Sequence, residues 1–116
     1  MTVSIYHNPR CSKSRQTLEL IRSRGIEPQV IEYLKHPPTR DELDAILKLL
    51  KLEPRALIRT TETAYKSEGL DQPDLDRDAL LAAMVAHPGL IERPIVLANG
   101  KAALGRPPEN ILAILD

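Results

Sequence analysis

Short runs in which apolar and polar residues alternate lie near both ends of this chain, and between them apolar residues recur every three or four positions. The first pattern predicts strands and the second amphipathic helices. Val3-Ser-Ile-Tyr6 alternates and reads as a strand, broken by Asn8-Pro9. From Cys11 to Arg24 there is no Gly or Pro, and Cys11, Ser14, Leu18 and Ile21 share one helical stripe, with Gly25 placed to end it. Pro28 to Leu34 is a second strand, so the chain begins strand, helix, strand, which predicts a parallel pair. Thr39-Arg-Asp-Glu42 is a capping-box pattern before a helix face of Leu43, Ile46, Leu47 and Leu50. Pro54 opens a short helix to about Ile58. Tyr65 to Pro73 is polar and predicts a loop or single turn, and Asp76 caps a further helix with Leu80, Ala83 and Met84 inward, ended by His87-Pro88. Pro94 to Ala98 and Lys101 to Leu104 are strands joined by Asn99-Gly100, a two-residue hairpin signal. Gly105-Arg106-Pro107 then turns into a last helix, Pro108 to Leu115, with Ile111, Leu112 and Leu115 inward.

The order βαβ, helices, ββα predicts an α/β protein with a mixed sheet, of the thioredoxin/glutaredoxin-like kind, carrying a helical insertion over approximately 39–87. At 116 residues one domain, 1–116, is expected. Lys plus Arg and Asp plus Glu each number 16, so net charge is zero and no broad nucleic-acid or anionic-membrane surface is expected. The N-terminus lacks the basic start and apolar middle of a signal peptide, and no apolar run is long enough to span a bilayer. One cysteine forms no intrachain disulfide. A cytoplasmic monomer is the expectation.

That one cysteine stands in Tyr6-His-Asn-Pro-Arg-Cys-Ser-Lys-Ser-Arg15, among bases and at the start of the predicted first helix. A lone cysteine can be an inert small hydrophobe, but this position favours a thiolate. Helix-start N–H groups lack intrahelical partners, the helix dipole favours negative charge, and such sites lower a cysteine pKa from ~8.5 to between ~3.5 and ~7.5. The same helix start is an oxyanion cradle. His7, Arg10, Lys13 and Arg15 can add to the effect or face water. Cys11-Ser-Lys-Ser14 has serine where a C-x-x-C has its resolving thiol. The phosphotyrosine-phosphatase spacing fails, because Thr17 stands where arginine is needed. His7, His36 and His87 are scattered, so no metal site is expected. Arg59, Arg93 and Arg106, the last two directly before prolines, read singly as solvated charges; a thioredoxin-like fold would bring Arg93-Pro94 beside the cysteine.

Together these residues carry a resemblance. The segment around Cys11, then Ala56-Leu-Ile-Arg59, Glu92-Arg-Pro-Ile-Val96 and Gly105-Arg-Pro-Pro-Glu109 resemble the glutaredoxin-dependent arsenate reductase (ArsC) family over essentially the whole chain. The Asn-Pro-Arg-Cys-Ser-Lys-Ser-Arg and Ala-Asn-Gly-Lys patterns look like a housekeeping branch of it. The resemblance implies Cys11 as the catalytic thiol, supported by His7 and Ser14. It implies Arg59, Arg93 and Arg106, with Arg15 in the matching segment, as oxyanion-binding residues, and Pro94 as a cis-proline. It implies arsenate as substrate, glutathione as co-substrate, glutaredoxin as partner, and no tightly bound cofactor. Two other readings stay open: a related thiol oxidoreductase acting on another oxyanion or on glutathionylated substrates, and a redox-sensing regulator that binds RNA polymerase. Ser14 in place of a second thiol argues against the last.

Overall fold

The computed structural model describes residues 2–115, which divide into two compact units. One is formed by the chain up to His36 and from Arg93 onward; the other is Pro37–Glu92.

The first unit holds a four-stranded mixed sheet in the order β2-β1-β3-β4, with β1 Val3–His7, β2 Gln29–Glu32, β3 Ile95–Ala98 and β4 Lys101–Leu104. β1 pairs parallel with β2 and antiparallel with β3, and β3 pairs antiparallel with β4. This is the mixed α/β sheet that the order of sequence patterns predicts. Alternation sets its faces. Val3, Ile5, Val96 and Ala98 turn one way and bury against Leu18 and Ile21 of helix α1 (Ser12–Ser23) and against Ile111, Ile114 and Leu115. Ile5 and Ile21 are fully buried, and burial of each such side chain stabilises by about 1.5–3 kcal/mol. α1 ends where Gly25 takes φ +75 and donates its N–H to the Arg22 carbonyl at 2.9 Å. The β3–β4 turn has positive φ at both Asn99 and Gly100, the backbone that the Asn-Gly pair favours.

Two spans differ from the sequence pattern. The second strand stops at Glu32, because the Lys35 and His36 N–H groups both donate to the Glu32 carbonyl and close a turn. Tyr33 and Leu34 have the composition of a strand but lie in that turn. The last helix begins as a 3-10 turn, Pro108–Ile111, and becomes α only over α6, Leu112–Leu115, with Leu112 half-buried and Ile114 buried.

The second unit is helical: α2 Arg40–Leu50, α3 Pro54–Leu57, α4 Thr63–Ser67 and α5 Arg77–Ala86, then a 3-10 turn at Pro88–Leu90. The capping box at Thr39 is closed both ways: Glu42 N–H donates to Thr39 Oγ1 at 3.1 Å and Thr39 N–H to Glu42 Oε1 at 2.9 Å. Asp76 Oδ1 accepts the Ala79 N–H and caps α5, whose buried residues are Leu80, Leu81 and Met84; Ala83, expected inward, is half-buried. Arg77 donates twice to Asp44, at 2.7 and 2.9 Å, and ties α5 to α2. The polar 65–73 stretch forms the end of α4 and a turn, pinned by buried Leu70 and by Arg55, which donates to the carbonyls of Leu70 and Gln72. No helix among the described residues is long and apolar enough to cross a membrane.

Candidate active site

Cys11 is the N-cap residue of α1, with extended backbone (φ −93, ψ 123) and a buried side chain. The loop that delivers it is braced by its own residues. Cys11 N–H donates to the Asn8 carbonyl at 3.0 Å, and Arg10 N–H donates to Asn8 Oδ1 at 3.0 Å. Arg15 reaches back from the first turn of α1 and donates through Nη1 to the Pro9 carbonyl at 2.8 Å. Asn8 and Pro9 thus do more than end β1: they shape the approach to the helix. Arg15, expected as an oxyanion ligand, has its guanidinium committed at least in part to this loop.

Period-two alternation places His7 on the same face of β1 as Val3 and Ile5, the face that looks at α1. The helical stripe brings Ser14 to meet it. His7 Nδ1 and Ser14 Oγ lie 2.6 Å apart, both side chains buried, and Ser14 Oγ also accepts the Asn8 N–H at 3.0 Å. Burial lowers the His7 pKa below its ordinary value; Glu32, its register partner on β2, opposes this, and Arg22 and Arg15 reinforce it. The imidazole is therefore mainly neutral at pH 7, with one ring nitrogen protonated and one able to accept.

The sulfur has a different balance. Burial pushes the Cys11 thiol up, but the Ser14 N–H, the Arg93 charge, the Lys13 N–H and a hydrogen bond from Arg93 outweigh it, and the thiol lies below its ordinary value. Arg106 Nη2 stands 3.7 Å from Sγ. The same guanidinium donates through Nε to the Arg93 carbonyl at 2.8 Å. Arg93 and Arg106 are thereby linked to each other and to the helix start. Both precede cis peptide bonds, Arg93-Pro94 as the resemblance implies and Arg106-Pro107 in addition.

The reason these two arginines meet is the hairpin. Ile95 pairs with Leu104, and carrying that register two places outward sets position 93 opposite position 106. The two-residue turn at Asn99-Gly100 fixes that register, a partial signal that the arginines taken singly do not carry. Gly105, which lies between Leu104 and Arg106, gave no comparable signal; neither did Thr17, whose buried hydroxyl donates to the Lys13 carbonyl at 2.8 Å.

Arg59 belongs to the second unit. Its N–H donates to the Leu90 carbonyl at 2.7 Å beside the Ile58–Ile91 bridge, and its guanidinium pairs with Glu62 at 2.9 Å and Glu92 at 3.9 Å.

The first unit thus presents a thiol of lowered pKa at a helix start with the Arg93 charge acting on it, the Arg106 guanidinium between that sulfur and the Arg93 carbonyl, and a neutral imidazole–hydroxyl pair. A nucleophile and donors for anionic oxygens coincide.

Comparison with known proteins places relatives beside this chain over nearly its whole length. The ArsC family model matches residues 6–114. An arsenate reductase of Neisseria meningitidis is 55% identical over 114 residues, covering 97% of each chain. The uncharacterised protein YfgD of Escherichia coli is 51% identical over 114 residues, covering 97% of this chain and 96% of its own. The solved structure of an arsenate reductase from Vibrio cholerae superposes with a TM-score of 0.96 at 54% identity, covering 99% of this chain and 98% of that one.

Proposed function

This chain belongs to the ArsC family, and on that footing we propose that it reduces arsenate to arsenite through an arsenic adduct on Cys11, with glutathione and glutaredoxin as electron donors. The observation that carries the proposal is the meeting of Arg106 and Arg93 at a cysteine of lowered pKa on a helix start. Relatives near half identity that bear the name arsenate reductase support it.

The steps follow from the residues. Arsenate enters as an oxyanion, and planar guanidiniums with paired N–H groups suit its oxygens better than a point charge does. Arg93 and Arg106 hold it in this proposal. The Cys11 thiolate forms an S–As bond while one arsenate oxygen leaves as water after protonation. Arsenic is still in the +5 state. Glutathione then forms its own S–As bond, and its thiol proton leaves with an arsenic hydroxyl group as water. A glutaredoxin thiolate attacks the glutathione sulfur; the S–As electron pair stays on arsenic, which becomes +3, and a glutathione–glutaredoxin disulfide leaves. Water replaces Cys11 on arsenic, arsenite departs and the thiolate is restored. An external thiol is needed because the chain has a single cysteine. In this proposal His7 and Ser14 support the thiolate by bracing the start of α1 through their mutual hydrogen bond and the Asn8 N–H, and Arg15 holds the loop before Cys11.

A second reading draws on the same geometry: guanidiniums and helix N–H groups recognise a charged oxygen cluster, not arsenic in particular. A panel of arsenate, selenate and glutathionylated peptide separates the two. Turnover with arsenate alone supports the first reading; turnover confined to another member replaces it.

A further inference from the structure

Gly105 is buried, and its backbone lies outside the left-handed region that Gly25, Gly69 and Gly100 occupy. Its need for glycine is one of space. A Cβ built on Gly105 would stand 2.4 Å from Thr17 Oγ1, 2.7 Å from Pro94 Cγ and 3.1 Å from Thr17 Cγ2. None of these neighbours yields easily. Thr17 is fully buried, its hydroxyl is held by the Lys13 carbonyl, and its β-branched side chain is stiff about Cα–Cβ. Pro94 is a buried ring whose carbonyl accepts the Gly105 N–H at 2.9 Å.

The two obstacles belong to the segments that carry the chemistry. Thr17 lies on α1, which starts at Cys11, and Pro94 follows Arg93. Arg106, next after Gly105, bridges the Arg93 carbonyl and Cys11 Sγ. A methyl group at 105 forces α1 and the Arg93–Pro94 loop apart or displaces Arg106. We propose that Gly105 is a positioning residue: an absent side chain that sets the distance from the Cys11 sulfur to the guanidiniums of Arg93 and Arg106. The inference rests on Cys11 being the reacting group, but not on arsenate being its substrate.

The test is the pH profile of Cys11 alkylation by iodoacetamide, read with thermal unfolding on Gly105→Ala, Thr17→Ala and the double variant. Gly105→Ala is expected to move the alkylation midpoint upward and slow the reaction several-fold below it. Thr17→Ala is expected to leave the profile near that of the parent. The double variant, relieved of both Thr17 contacts, is expected to return part of the way, so that the two substitutions are not additive. A folded Gly105→Ala with an unchanged midpoint overturns the proposal. If Gly105→Ala does not fold, a folded double variant supports the clash with Thr17, and an unfolded one overturns it. A parent protein inert toward arsenate, yet showing these shifts, leaves the spacer standing and removes only the substrate.

Discussion

Arg106 Nη2 lies 3.7 Å from Cys11 Sγ, a contact closed across nearly the whole chain, and the same guanidinium holds the Arg93 carbonyl at 2.8 Å. Charge alone does not reproduce this two-pronged hold. Arg106→Ala is expected to lower kcat/KM for arsenate by roughly ten- to a hundredfold, since a hydrogen bond involving charged partners contributes about 1.5–3 kcal/mol. Arg106→Lys is expected to recover only part of the loss. Steady-state kinetics on both variants check this; equal recovery by lysine would show that only the charge matters.

The Cys11 thiol should react with iodoacetamide at a pH below the ordinary thiol range, because the Ser14 and Lys13 N–H groups and Arg93 outweigh its burial. In Arg93→Ala the opposing burial remains and the lowering charge is gone, so the midpoint is expected to rise. The sign also appears in stability. Between the folded and unfolded thiol pKa values the unfolded state binds more protons, so stability rises with pH across that window. An Arg93→Ala midpoint equal to the parent's would remove the guanidinium from the account of the thiolate.

Ser14→Ala separates side chain from backbone. It leaves His7 Nδ1 and the Asn8 N–H without their hydroxyl partner in a buried place, and is expected to destabilise by about 1–3 kcal/mol. The Ser14 N–H that acts on the sulfur remains, so the alkylation midpoint is expected to move little. Urea unfolding and alkylation on one variant give both answers.

Much of this arrangement is legible in the sequence. The strand–helix–strand opening, both helix caps in the second unit and the Asn99-Gly100 turn follow local rules that tertiary contacts did not overrule. Tyr33-Leu34 misled because aromatic and apolar residues read as strand, whereas the two N–H groups that turn the chain at Glu32 leave no mark in composition. The cysteine at a helix start was visible from its neighbours. The meeting of Arg93 with Arg106 was carried by hairpin register, a signal available but longer in range than the motif around Cys11. The spacing at Gly105 depends on contacts between segments, which neighbouring residues do not encode.

His7 gives an acid-side prediction. An unfolded imidazole takes up its proton near pH 6.5, at about the ordinary histidine value, while the buried one resists until lower pH. In that interval the unfolded state carries more protons, so stability falls as pH drops through the unfolded value and levels off once folded His7 is protonated. His7→Gln is expected to flatten this part of the profile. Urea midpoints taken at about pH 7.5 and about pH 5 compare the two proteins; an equal drop in both would assign the acid loss to other groups.

In the proposed reaction Cys11, held by its helix start and two arginines, turns arsenate into arsenite with thiols supplied from outside. Arsenite formation by the purified protein, with arsenate, glutathione and glutaredoxin, run beside Cys11→Ser, tests it most directly. Turnover is expected to need both donors and to disappear in the variant. Arsenite formed equally by Cys11→Ser, or none formed by the parent with both donors present, would contradict it.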